Sequence, residues 1–280
     1  MMKRFFTNLG IYVIVFLLMS LSIELYRNRN GVANRRGFLG AEIYQAISKS
    51  LMNCKVGKLV LGDSVGLQLY PSENDYDDMV SLACNQAITV AGQYFLLLNV
   101  IESNKNDLPK EVILIITPFS LSNDVDHFAY HYFLKPFPPK HFSKYYTEHL
   151  AQRIHSIPLY WTANLPFIRT SNYTPQWAVP SPQTTNSLSL LSYEYLLRMD
   201  SVAKANDMTF RMVCPPIRDD RRNEVDQFFG NLPDGYMTKL SGLLRSYQES
   251  VVYMPSECYW DQTHLNGDQI PVDYLRLLSH

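Results

Sequence analysis

The sequence predicts an α/β protein, a parallel sheet with helices on both faces, joined to an N-terminal helix that spans a membrane. Three observations carry that expectation. Short apolar runs such as Leu59-Val60-Leu61 and Val112-Ile113-Leu114-Ile115-Ile116 have the length and bulk of buried parallel strands. Longer segments with helical spacing alternate with them, which implies βαβ crossovers and a sheet covered on both sides. Residues 5–23 contain no charge and follow Lys3-Arg4, and about 20 apolar residues suffice to cross a bilayer.

Beyond that first segment, residues 41–52 place Ile43, Ala46, Ile47 and Leu51 along one helical face. Residues 58–61 form the first strand and 79–83 the second, and 90–102 is a strongly apolar helix. The clearest strand is 112–116, set off by Pro109. An amphipathic helix over 188–206 turns Leu190, Leu191, Tyr195 and Leu196 inward, and a strand at 210–214 is stopped by Pro215-Pro216. A helix at 235–249, a last strand at 251–254 and a last helix at 268–278 complete the alternation.

Between about 119 and 187 the alternation fails. This insertion is rich in prolines and aromatics, among them Phe137, Trp161 and Trp177. Long irregular insertions in compact domains are usually functional or disordered, and aromatic content argues against disorder. Two readings stand: a lid or acceptor groove whose aromatic faces pack on sugar or lipid chains, or a packed subdomain with its own small core.

The chain has 280 residues, of which 46% are hydrophobic and 13% aromatic, enough for one good-sized core. The expected organisation is a membrane anchor at 1–25, a tether at 26–40 and a single α/β domain at 41–280. Ser20-Leu21-Ser22 also offers small residues at cleavage-like spacing, so a removed signal segment is the alternative to an anchor. Arg27, Arg29, Arg35 and Arg36 then either touch anionic lipid headgroups or belong to a solvated linker. The formal net charge of −1 gives no basic face for nucleic acid.

Cys54, Cys84, Cys214 and Cys258 lack C-x-x-C spacing, which argues against a structural zinc and leaves disulfides or buried thiols open. His127 and His131, near Asp124 and Asp126, are half of a metal site at most, without the glutamate of H-E-x-x-H. Neither a metal nor a cofactor is expected. Arg218, Arg221 and Arg222 follow a strand end and either hold an anionic substrate group or form a turn paired with Asp219 and Asp220.

The chemistry-bearing pattern is split between two distant segments. Gly62-Asp63-Ser64 follows the first strand, and Asp261-x-x-His264 follows the last. A serine on a sharp strand-to-helix turn exposes its hydroxyl at the sheet edge, where a histidine oriented by an aspartate can take its proton. Open parallel sheets place their sites beyond the carboxyl ends of strands, where both segments fall. Asp63 is expected to shape the turn by hydrogen bonding without transferring protons.

These segments resemble the SGNH (GDSL-type) hydrolase superfamily. Leu61-Gly62-Asp63-Ser64-Val65 is similar to its nucleophile block and Asp261-Gln262-Thr263-His264-Leu265-Asn266 to its last block. The resemblance runs from about residue 58 onward. It implies a flavodoxin-like three-layer sandwich with Ser64, His264 and Asp261 as nucleophile, base and orienter. The two middle blocks depart from the pattern. Where the family has an oxyanion-hole glycine, this chain reads Leu82-Ala83-Cys84-Asn85-Gln86-Ala87, and in place of G-x-N-D it has Thr117-Pro118-Phe119, with Asn123-Asp124 later. Such a pattern is more like the membrane-anchored branch that assists O-acylation of cell-envelope polymers.

The resemblance therefore implies a membrane-anchored serine esterase or O-acyltransferase acting on an acylated envelope glycan. Backbone amides near Ser64 and Asn85 would serve as the oxyanion hole, and Asn123 is a side-chain candidate for the same job. Expected partners are an acyl donor or acylated glycan, membrane lipid, and an integral-membrane acyltransferase. Lys3 and Arg4 favour an N-terminus inside while Arg27, Arg29, Arg35 and Arg36 favour the reverse; the short N-terminal tail and the resemblance decide for the domain outside the cytoplasm, in the periplasmic or extracellular space. The alternative is a non-catalytic envelope-assembly or glycan-binding protein that keeps the fold.

Overall fold

The computed structural model describes residues 2–29, 40–53, 57–72, 74, 77–126, 128–165, 168 and 186–267. Most of the predicted tether, Cys54, His127, Trp177 and the predicted helix at 268–278 lie outside the described residues.

Helix α1 (Met2–Arg29) contains a stretch, Met2–Ile23, long and apolar enough to cross a membrane, with a mean hydropathy of 2.1. The hydroxyls of Thr7, Ser20 and Ser22 each donate to the carbonyl four residues earlier, which satisfies them inside the helix.

The domain is built on a four-stranded parallel sheet of β1 (Lys58–Gly62), β2 (Met79–Ser81), β3 (Glu111–Ile115) and β4 (Thr209–Val213), in the order β2-β1-β3-β4. The chain leaves β1 toward β2 and returns on its other side as β3. That reversal opens a crevice beyond the carboxyl ends of β1 and β3. The strands are apolar on both sides because both sides are covered. Leu59 and Leu61 face one core, and Val60 faces another.

The larger core is roofed by α2 (Ala41–Ser50), α4 (Thr89–Ser103), α8 (Leu190–Ala205) and α10 (Asp234–Glu249). Between α4 and α8 the chain forms α5 (Pro118–Leu121), α6 (Pro139–Phe142) and α7 (Glu148–His155), with a π-turn at Tyr130–Leu134. The smaller core brings Val60, Ile113, Ile115 and Val213 against α3 (Ser64–Leu69) and against Tyr259 and Leu265.

Three expectations change. The described part of the insertion joins the larger core: Phe133, Phe137, Phe142, Tyr145 and Tyr146 surround Phe95 of α4, with ring centroids between 5.0 and 6.3 Å away. The expected last strand is β6 (Tyr253–Met254), which pairs with β5 (Ile217–Arg218) in a separate two-stranded parallel sheet. Pro215 and Pro216 lack the amide donors needed to continue the main ladder. A helix absent from the sequence reading, α9 (Arg222–Gly230), buries only Val225 and Phe228.

Candidate active site

The turn after β1 is shaped by a close approach. A Cβ at Gly62 would sit 2.4 Å from the Ile115 carbonyl oxygen of β3, and one at Gly66 would sit 2.9 Å from the same atom. Only glycines let β1 and α3 come this near β3. Asp63, 1% exposed, caps α3 by accepting at Oδ1 from the amides of Val65 (3.0 Å) and Gly66 (3.2 Å). Its Oδ2 accepts from the Thr117 amide (2.9 Å) and hydroxyl (3.1 Å) and from the Ser120 hydroxyl (2.6 Å). Asp63 therefore ties the turn after β1 to the turn after β3, and both its oxygens are committed to structure.

Ser64, first residue of α3, is half-buried at the crevice. His264, 200 positions later, brings Nε2 to 3.0 Å from Ser64 Oγ. Asp261 Oδ2 lies 2.7 Å from His264 Nδ1, and Oδ1 accepts from the amides of Thr263 and His264, each at 2.6 Å. With Nδ1–H donated to the carboxylate, Nε2 is left to accept the serine proton. Desolvation pushes the Asp261 carboxyl upward. The His264 amide and ring and the Thr263 amide outweigh it and hold the group below its ordinary value.

The segment carrying Asp261 and His264 is a small antiparallel loop. Tyr259 bridges Leu265, the Trp260 amide donates to the His264 carbonyl (3.1 Å), and the Asn266 amide donates to the Cys258 carbonyl (2.8 Å). The Arg218 guanidinium donates to the Asp261 carbonyl at 3.0 Å while gripping Asp220. Arg221 reaches the Gln262 carbonyl at 3.4 Å and lies 3.4 Å above the Phe119 ring. Arg222 stacks 3.8 Å from the Tyr253 ring. Of the two sequence readings, the turn paired with an aspartate describes Arg218, and its main act is to brace the triad loop. Trp260 stacks on the His264 ring at a centroid distance of 5.4 Å and remains 68% exposed, an aromatic plane beside the imidazole.

Asn85 and Asn123 share a neighbouring feature. Both line a cleft of about 310 Å³ with Asp124, Phe128 and Tyr132. Asn85 Oδ1 caps the next turn through the Ala87 amide at 2.9 Å, and the Asn123 carbonyl accepts from Ser189 Oγ at 2.8 Å. Among the described residues neither side chain hydrogen-bonds to the triad. Asn85 is nevertheless close to the turn along the backbone, since the Cys84 amide donates to the Gly62 carbonyl at 3.1 Å.

Asp124 pairs with His149 at 2.6 Å, and His131 is buried beside Lys135, their side-chain nitrogens 3.4 Å apart. Among the described residues no group of three or more His, Cys, Asp or Glu side chains is arranged to hold a metal ion. Cys84 and Cys214 are buried, which pushes their thiols well up, and Cys258 is partly exposed. Sequence reasoning missed Gln68, Arg218 as a brace, and Trp260. Only Trp260 carried a local signal, as the neighbour of Asp261. No protein-family model and no curated protein matches this chain, so its function rests on the geometry of this site.

Proposed function

We propose that the protein is a membrane-anchored serine esterase or O-acyltransferase of SGNH type, acting on an acylated glycan outside the cytoplasm. The observation that carries the reading is the relay from Asp261 through His264 to Ser64, with hydrogen-bond distances of 2.7 and 3.0 Å. The doubly wound strand order and the serine turn at the switch point support the SGNH-like fold. Helix α1 supports a single-pass anchor.

Ser64 Oγ attacks an acyl carbonyl as His264 Nε2 takes its proton, and the Asp261 carboxylate stabilises the imidazolium that results. The backbone amides of Ser64 and Asn85 stabilise the oxyanion, since those of Val65 and Gly66 are already taken by Asp63. His264 returns the proton to the leaving oxygen, and then activates water or a sugar hydroxyl to release the acyl group.

A fluorophosphonate probe tests this directly. Covalent labelling of the full-length protein that disappears in Ser64→Ala is the expected result. A wild-type protein that stays unlabelled sinks the enzyme reading and leaves the non-catalytic assembly role. Reporter fusions that placed Gly267 in the cytoplasm would remove the envelope substrate but leave the triad.

A further inference from the structure

We infer that Gln68 is a positioning residue that sets His264 in register with Ser64. The inference rests on the role of His264 as base for Ser64. Leu265 is fully buried and forms an antiparallel bridge with Tyr259. The hydrogen bonds of that bridge belong to its neighbours, His264 with Trp260 and Asn266 with Cys258. Leu265's own amide and carbonyl therefore point to the opposite edge. Left without partners in the core they would be costly.

Gln68 meets both of them. Its Oε1 accepts from the Leu265 amide at 3.0 Å, and its Nε2 donates to the Leu265 carbonyl. A backbone amide only donates and a carbonyl only accepts, so one orientation of the Gln68 side-chain amide fits, and it takes the place of a neighbouring strand. Gln68 lies four residues after Ser64 on α3, the same helical face, about 6 Å along the axis. Leu265 is the residue after His264. The two contacts between α3 and the loop thus form a ladder, with Ser64 opposite His264 on one rung and Gln68 opposite Leu265 on the next. The second rung is two-pronged, with both bonds on the backbone of a fully buried residue, while the first is a single bond between side chains. The two-pronged rung fixes the single one.

Gln68→Met keeps the side-chain length and removes both bonds, and Gln68→Glu keeps only the acceptor. In the full-length protein, Gln68→Met is expected to slow fluorophosphonate labelling of Ser64 about tenfold or more, and Gln68→Glu less. In a His264→Ala background, where there is no base left to position, Gln68→Met should change the residual labelling less than about twofold. Equal fold-losses in both backgrounds, or no loss in the first, would overturn the inference, the former by showing a merely structural role. If the wild-type protein is not labelled at all, the enzyme reading fails and a second measurement decides. The nitrogen NMR shift of His264 Nε2 should move on Ser64→Ala when Gln68 is present and stay put when Gln68→Met has already separated the pair. Equal movement in both proteins overturns the inference without reference to activity.

Discussion

On one face of the sheet, Leu59, Leu61 and Leu114 are packed under α2, α4, α8 and α10 and reinforced by the aromatic ring cluster around Phe95. On the other, Val60, Ile113 and Ile115 meet the six-residue helix α3 and the loop that carries Asp261 and His264. Among the described residues the thick face contains the bulk of the buried apolar area, which dominates stability. The thin face carries Ser64, Asp261 and His264. A site roofed by short elements opens locally at far less cost than the whole domain unfolds, so hydrogen bonds such as those of Gln68 and Arg218 have to supply the order that burial supplies elsewhere.

The sharpest contrast comes from changes that touch chemistry alone. Ser64→Ala or His264→Ala is expected to lower esterase activity about 10⁴-fold or more, with the melting temperature nearly unchanged. Phe95→Ala, on the thick face, should do the reverse. It empties the centre of the aromatic cluster and costs about 3–5 kcal/mol by urea denaturation, with activity per folded molecule retained. Leu265→Ala tests whether the thin face really joins the two properties. It should cost about 2–4 kcal/mol and also reduce activity, because the lost side chain anchors the histidine segment. If Leu265→Ala behaves as Phe95→Ala does, the division between the faces is wrong.

The smallest expected effect is a pH dependence. The Asp261 carboxyl is held below its ordinary value of 3.8. Its stabilisation of the loop is therefore fully present above that value and fades as pH falls through the lower folded-state value. Amide exchange or Trp260 fluorescence should report the loop loosening at acid pH ahead of the main core. A loop that loosened only with global unfolding would show that the thin face has no independent stability.

The fold was legible where burial and punctuation agree. The strands around Leu59-Val60-Leu61 and Ile113-Leu114 are apolar on both sides and bounded by Gly or Pro, so their ends fall within a residue or two of expectation. The triad was legible because the serine turn and the Asp-x-x-His spacing are local signals. The register of the site was not. Gln68 looks like an ordinary helix residue, and its partner stands 197 positions away. Helix α9 escaped because charges flank Val225 and Phe228, so its apolar stripe is too narrow to give a helical period. The separate pairing of β6 with β5 was hidden because four residues at 251–254 do not say which strand they will meet.

The distance in sequence between Ser64 and His264 also orders events in time. A chain synthesised through Val213 holds all four strands of the main sheet, with the serine already on its turn, yet it has no base and no orienter. Asp261 and His264 arrive some fifty residues later, together with Leu265, the partner of Gln68. On the proposed reading, the nascent protein has no base for Ser64 until this loop has been made.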